Sequence, residues 1–273
     1  MMQDVLERFL FENAPVRGEL VQLDATMAEV LSRHPYPAPL ARLIGELMAA
    51  AALLTATVKL IVVECLSDMT LRATARWDGE VADVSLAELL GQGKFIITLD
   101  PEDGETYQGI VGFEPGQSVA EIIEHYMQRS EQLETRLWLA CSGERSAGLL
   151  LQKMPEGAGD GEAWERIGHL AATVTDEELL GIDSQSVLYR LFHEETVRMF
   201  ESTIPAFGCS CSREKVGGML RMLGREEIDG VLEERGKIEV GCEFCNTRYE
   251  FDKIDVAQVF AGQGLQDAGA QVH

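Results

Sequence analysis

The sequence predicts an α+β protein: a mixed α/β core domain with a buried Ala-rich helix, then a helical segment, then a small cysteine-bearing module. Three observations carry this. Strand-like patterns recur between residues 16 and 154 with helical patterns between them. The run Leu40–Lys59 is rich in Ala and Leu and poor in polar groups, as a helix buried nearly all round would be. Four of the six cysteines fall between residues 209 and 245.

Taken in order, residues 1–35 mix a short helical pattern (Val5, Leu6, Phe9, Leu10) with a strand pattern at Val16–Leu23. Pro35, Pro37 and Pro39 then break the chain ahead of the Leu40–Lys59 helix. Ile61–Cys65 and Thr70–Trp77 read as strands, and Phe95–Leu99 and Gln108–Phe113 as a strand pair joined by the turn-rich Asp100–Gly104. Ser118–Gln132 is an amphipathic helix, Arg136–Cys141 and Ala147–Met154 a second strand pair, and Gly157–Gly161 a loop tip. A second region begins near residue 163. Thr175 and Glu178 form a capping box ahead of Leu179 and Leu180. Ser184–Glu195 sets Val187, Leu188, Leu191 and Phe192 on one helical face. Pro205 and Gly208 mark a boundary. Arg213–Leu223 and Glu226–Glu234 read as short helices separated by Gly224, the second ending at Gly236. Lys237–Val240 and Thr247–Phe251 read as short strands flanking Cys242 and Cys245. The division expected is a core at 1–174, a helical linker at 175–205, the cysteine module at 206–261 and a polar, flexible tail at 262–273.

Composition narrows the function classes. No secretory leader is expected, because Met1–Asp4 has no basic cluster and Glu7 interrupts the apolar residues. The longest apolar stretch, Leu47–Val58, is too short to span a bilayer. A soluble, cytoplasmic protein is expected. The net charge of −23 repels nucleic-acid backbones and anionic membranes, so neither is an expected partner. Residues 201–273 carry 8 basic against 13 acidic residues, which also argues against a nucleic-acid zinc module. No phosphate-loop or Ser-His-Asp signature occurs: Gly91-Gln92-Gly93-Lys94 lacks the full spacing, and the five histidines show no ligand spacing. An enzyme is not expected.

The pattern that carries chemistry is Cys209-x-Cys211 followed by Cys242-x-x-Cys245. Paired cysteines in a large intracellular chain read as metal ligands or redox centres. Four soft ligands at about 2.3 Å suit one tetrahedral Zn²⁺. Small Ser210 lets the chain turn between the first two; Asn246 can take the left-handed conformation that closes the second turn, and Gly241 gives further freedom. Pattern alone leaves a purely structural zinc site open, and with it a zinc-held interaction module. A thiol oxidoreductase is a third reading, weakened because its Cys-x-x-Cys belongs at a helix N-terminus rather than between strands. The Cys-x-Cys pair tilts towards a switch, since structural ribbons usually use two Cys-x-x-Cys knuckles and adjacent thiolates form a compact dithiol open to oxidation. Cys65 and Cys141 lie in apolar strand patterns and read as buried free thiols.

These residues resemble the Hsp33 family, redox-regulated holdase chaperones of bacteria. The resemblance rests on Phe207-Gly-Cys-Ser-Cys-Ser-Arg-Glu214 joined to Cys242-Glu-Phe-Cys-Asn246, with Tyr249 and Phe251 following. It extends to Val16-Arg-Gly-Glu-Leu20, Leu43-Ile-Gly-Glu-Leu47, Tyr107-Gln-Gly109, Arg129-Ser-Glu-Gln132 and Leu191-Phe-His-Glu-Glu195, nearly the whole chain. It implies a mixed α/β core, a helical linker and a C-terminal zinc domain. It implies a reduced, inactive state with one Zn²⁺ on Cys209, Cys211, Cys242 and Cys245. Oxidation then gives the disulfides Cys209–Cys211 and Cys242–Cys245, zinc leaves, and the module and linker unfold. The protein then binds unfolding client proteins without ATP, often as a homodimer. The chain departs from the family at one place. The family sets a strand, a Gly-rich turn and the start of another strand between the buried helix and Ile61–Cys65, whereas here Lys59 and Leu60 run straight into Ile61. Either a strand is deleted or those residues are missing from the sequence. The second is preferred, because losing a central strand would expose a core face.

Overall fold

The computed structural model describes residues 4–53, 59–60, 63–65, 70–73, 95–99, 107–111, 116–154 and 162–261. The chain divides into two compact units, Met1–Gly208 and Cys209–His273.

The first unit holds two sheets. In the five-stranded one, β1 (Val5–Phe11) and β2 (Val16–Leu23) form an antiparallel pair, with Phe9 opposite Gly18. β2 pairs with β9 (Ser146–Lys153), β9 with β8 (Thr135–Cys141), and β10 (Val197–Met199) lies along the outer side of β1. The order is β10-β1-β2-β9-β8. Side-chain parity sorts this sheet into two cores. Leu6, Val21, Leu23, Leu137 and Leu150 enter one, and Phe9, Phe11, Val16, Leu20, Leu149 and Leu151 enter the other. The helical pattern expected at Val5, Leu6, Phe9 and Leu10 is therefore overturned. A strand buried on both faces loses its period-two signature, and the ladder to β2 fixes its backbone. Gly18 is the space for the Phe9 ring, which a Cβ there would overlap.

α1 (Ala25–Arg33) takes its N-terminal cap from a distance. The buried Asp4 carboxylate accepts from Ala25 N at 2.9 Å and Thr26 N at 2.8 Å, while the Asp24 side chain makes no cap. α2 (Ala38–Leu53) is the buried Ala-rich helix, twelve of its sixteen residues being buried. It packs on β2, β8 and β9 and, on its other side, on β4 (Val63–Cys65) and β5 (Thr70–Ala73) of the second sheet. At Gly45 the Cys141 sulfur approaches the helix so closely that a Cβ would overlap it. The helix does not run to Lys59 as expected, since Lys59–Leu60 form β3.

β3 links β4, through Lys59 opposite Glu64 and Leu60 opposite Val63, to β6 (Phe95–Leu99), through Lys59 opposite Thr98. β7 (Tyr107–Val111) pairs with β6 as expected, and β11 (Ala206–Phe207) joins β5 in parallel. The order is β11-β5-β4-β3-β6-β7. The sheet thus stays continuous, through a strand of two residues, at the place where the chain is short. The expected turn at 100–104, the loop tip at 157–161, the tail from 262 and the Gly91–Lys94 segment lie outside the described residues.

α3 (Val119–Ser130) starts on a complete capping box of Ser118 and Glu121. On the second face of the five-stranded sheet lie α4 (Ala163–Ala171), α5 (Asp176–Gly181) and α6 (Ser184–Phe192). The expected capping box of Thr175 and Glu178 is present. Leu179, Val187, Leu188, Leu191 and Phe192 are buried against Phe9, Phe11, Leu20 and Leu149, with Leu180 partly buried beside them. The Phe192 ring meets Phe11 edge-on at 5.1 Å. Two buried polar side chains of the sheet hold this stretch in register. Gln22 Nε2 donates to the carbonyls of Leu179 at 2.8 Å and Ile182 at 2.7 Å. The Glu7 carboxylate accepts from Ser184 Oγ at 3.2 Å and Ser202 Oγ at 2.8 Å. Among the described residues no helix is long and apolar enough to cross a membrane.

Candidate metal centre

The second unit is small. α7 (Arg213–Leu223), α8 (Arg225–Arg235), the antiparallel pair β12 (Ile238–Gly241) and β13 (Arg248–Phe251), and α9 (Lys253–Ala261) surround seven buried apolar residues: Val216, Leu220, Ile228, Leu232, Ile238, Phe251 and Val256. Gly224 and Gly236 take positive φ at the ends of α7 and α8, as the sequence predicts. So small a core gives a fold that commonly needs a metal or a disulfide to hold it.

Local structure aims the cysteines. Ser212 caps α7 by accepting from Lys215 N at 3.2 Å, which fixes Cys209 and Cys211 just ahead of the helix. Cys242 and Cys245 sit in the turn between β12 and β13. Cys242 N donates to Thr247 O at 2.9 Å and Asn246 N to Cys242 O at 2.8 Å. Asn246 takes the left-handed conformation, φ 57°, that closes the turn. Gly241 needs no special freedom: it pairs with Arg248 as the last residue of β12 and is absent from the positive-φ residues.

The four sulfurs converge, all within 4.8 Å of one another. Cys209 Sγ is 3.7 Å from Cys242 Sγ, and Cys211 Sγ is 3.3 Å from Cys245 Sγ. A tetrahedral thiolate site with ligands at about 2.3 Å has sulfur–sulfur edges of about 3.8 Å, so the arrangement can hold one metal ion. The surroundings suit sulfur ligands. The backbone amides of Phe244 and Cys245 donate to Cys242 Sγ, and that of Thr247 to Cys245 Sγ. Tyr249 Oη donates to Cys211 Sγ at 3.1 Å, and Thr247 Oγ1 lies 3.1 Å from Cys245 Sγ. Desolvation works against ionisation of Cys245, yet the Thr247 hydroxyl and amide, with the neighbouring thiols, bring it down to about 6. Burial pushes Cys211 up to about 12, against the Tyr249 hydroxyl and with the three neighbouring thiols adding to the rise. Burial also raises Cys242. Four thiolates this close repel one another, and a bound cation removes that repulsion. An all-sulfur donor set favours a soft or borderline ion.

The sequence reading did not single out Thr247, and it met Tyr249 only as part of the resemblance. The signal for Thr247 was its place two residues beyond the second knuckle cysteine. Cys141 is in the first unit, unpaired and half-buried rather than buried, its thiol raised to about 11 chiefly by desolvation. The side chain of Cys65 lies outside the described residues.

Comparison with known proteins gives this geometry its context. A family model described as Hsp33 protein matches residues 4–252. The 33 kDa chaperonin of Methylobacillus flagellatus is 50% identical over 279 residues, covering 95% of each chain. That of Chromobacterium violaceum is 48% identical, covering 94% of each. The 33 kDa chaperonin of Pseudomonas aeruginosa is 45% identical over 294 residues, covering 99% of each. That alignment is longer than this chain of 273 residues, so the relative carries positions with no counterpart here. The crystal structure of the 33 kDa chaperonin of Thermotoga maritima superimposes with a TM-score of 0.80 over 96% of this chain and 99% of that one, at 22% identity, and so shares the fold. A family match across both units, together with relatives near half identity along their whole length, settles the descent of a chain whose four cysteines meet at one point: it belongs to the Hsp33 family.

Proposed function

We propose that this protein is a redox-regulated, ATP-independent holdase chaperone of the cytoplasm, and not an enzyme. In the reduced state Cys209, Cys211, Cys242 and Cys245 hold one Zn²⁺ as thiolates and the protein is inactive. Peroxide takes two electrons from each thiolate pair and two protons from solvent, giving the disulfides Cys209–Cys211 and Cys242–Cys245, with two molecules of water formed per disulfide. Bound zinc supplies the folding free energy of the small module, roughly 10–16 kcal/mol in zinc-finger peptides. Disulfides cannot act as thiolate ligands, so oxidation releases the ion. The module then loses its staple and residues 175–205 undock from the first unit. The apolar surface thus uncovered binds unfolding client proteins and keeps them from aggregating, the oxidised protein acting as a homodimer.

The observation that carries this reading is the convergence of the four sulfurs within 4.8 Å in a chain of this family. Two features support it further. The core of the second unit is small, and the stripe from Leu179 to Phe192 is buried on the sheet. The test is to measure zinc content and suppression of light scattering by a heat-denaturing client, before and after peroxide at raised temperature and without ATP. Stoichiometric zinc before, none after, and protection only after is the expected result. Equal protection in both states would remove the switch and leave a structural zinc site holding an interaction module.

A further inference from the structure

The segment that undocks in this reading also supplies a sheet edge. β10 pairs with β1 through Phe9 opposite Met199, Leu10 opposite Arg198 and Phe11 opposite Val197. Main-chain bonds continue on both sides of that pairing. Glu12 N donates to Thr196 O at 3.0 Å, Phe200 N donates to Arg8 O at 2.9 Å, and Leu6 and Thr203 exchange both bonds at 2.8 and 2.9 Å. The even-numbered residues of β1 and its extension, Leu6 to Glu12, thus turn backbone groups towards residues 196–203. The other side of β1 is taken by β2.

Side chains contribute to this pairing mainly at two points, Val197, partly buried against the second core, and Ser202, whose hydroxyl donates to Glu7. Arg198 is exposed, Met199 is 40% exposed and Phe200 49%. Along residues 198–200 the edge is held by its backbone, so another extended chain can replace the strand there provided that it offers an apolar residue at the place of Val197. When residues 175–203 leave, the groups of Leu6, Arg8, Leu10 and Glu12 lose their partners. On the face of β1 that α6 covered, Phe9 and Phe11 form an apolar row at strand spacing. Main-chain bonds for affinity and apolar positions at every second residue are what strand addition uses. A helical segment cannot use such an edge, because its own backbone groups are already paired.

We propose that the client site of the activated protein is this β1 edge, and that it takes an extended apolar segment of an unfolding polypeptide as an added antiparallel strand. The proposal rests on the release of residues 175–205 set out above and names the surface and the client conformation.

The experiment uses the full-length, peroxide-oxidised protein, with residue-resolved hydrogen exchange read by NMR. The client probe is reduced, carboxymethylated α-lactalbumin, which cannot fold. On adding it, the amides of Leu6, Leu10 and Glu12 should regain at least tenfold protection. Those of Glu7 and Phe9, which face β2, should be protected throughout. Mere hydrophobic covering would not produce that alternation. A second measurement uses peptides copying residues 196–203. N-methylation at the positions of Arg198 and Phe200, which face β1, should weaken binding at least tenfold, and methylation at Val197 and Met199 should leave it within twofold. If oxidised protein suppresses aggregation but protection does not alternate, or both methylated peptides bind alike, the edge site is wrong and the holdase reading stands. Protection that appears without client and grows with protein concentration would assign the edge to a second copy of this chain and overturn the proposal. No suppression of aggregation in any state would overturn the holdase reading, and the edge site with it.

Discussion

Replacing Phe192 by Ala separates docking of the linker from oxidation. Phe192 is 1% exposed, and its ring lies 5.1 Å from Phe11 and 6.0 Å from Phe9. Truncating a buried Phe to Ala costs about 3–5 kcal/mol, of which each aromatic pair accounts for about 0.5–1.5. The side chain belongs to α6 and its partners to β1, so the loss falls on the contact between them. At about 1.4 kcal/mol per factor of ten, exchange of amides 179–192 in the reduced protein should speed up about a hundredfold to several thousandfold. Amides of α2 should be unchanged, and client protection should appear without oxidant. Tyr189→Ala, on the same helix but 74% exposed, should change stability by no more than about 0.5 kcal/mol and leave the protein inactive. Unchanged exchange at 179–192 in Phe192→Ala would refute the docking argument. So would a matching loss of protection across residues 40–53, which would make Phe192 part of one indivisible core.

Other measurements test other parts of the structure. Cys245→Ser should abolish stoichiometric zinc binding in a chelator-competition titration, whereas Cys141→Ser should leave it unchanged. Removing zinc by chelation from reduced protein should expose the amides of Ile228, Leu232 and Ile238 to exchange, because the small core of the second unit does not hold it alone. Burial raises Glu19 to about 7 against the opposing charges of Arg8 and Arg17, and raises Glu46 to about 7 with Asp176 adding to the rise and Arg42 opposing it. Both folded values lie above the unfolded one. Their contribution is therefore complete below about 4.5 and is lost as pH rises through about 7. Urea unfolding at pH 5.5 and 8 should show Glu19→Gln reducing that loss by about 1–3 kcal/mol, and an unchanged slope would count against the assignment. Gly18→Ala should lower thermal stability by about 1–3 kcal/mol by displacing the Phe9 ring, whereas Gly230→Ala, where a Cβ meets nothing within 4 Å, should not.

What could be read from the sequence followed from where the signal is local. The buried helix showed in the Ala-rich run, the amphipathic face of α6 in Val187, Leu188, Leu191 and Phe192, and the helix ends in Thr175, Glu178 and Gly236. The four cysteines were legible because two short spacings suffice to suggest one metal. Where tertiary pairing decides, the sequence was silent or misleading. β1 reads as helix because both its faces are buried. α1 was missed because its cap, Asp4, lies 21 residues ahead of Ala25. β10 and β11 were missed because edge strands of three and two residues have no period to detect. α4 and α9 were not read as helices either. The candidate metal site was legible in its four cysteines but not in the Tyr249 hydroxyl, which comes from the neighbouring strand.

The anchoring of residues 176–203 is divided between an apolar stripe and two buried polar side chains. The apolar stripe supplies affinity for the sheet without choosing a register, because hydrophobic burial is non-directional. Register comes from Gln22 and Glu7, whose hydrogen bonds fix the junction of α5 and α6 and the position of Ser202. Those polar groups are buried only while the segment covers them. If the segment undocks as proposed, they are hydrated again, so the cost of burying them is returned together with the bonds, and their net contribution is modest. A purely apolar attachment would lack this cancellation and would slide between registers. The main-chain bonds of residues 196–203 behave in the same way, since water or another strand can replace them. In the docked state the stripe thus supplies most of the attachment and the buried polar pairs its placement.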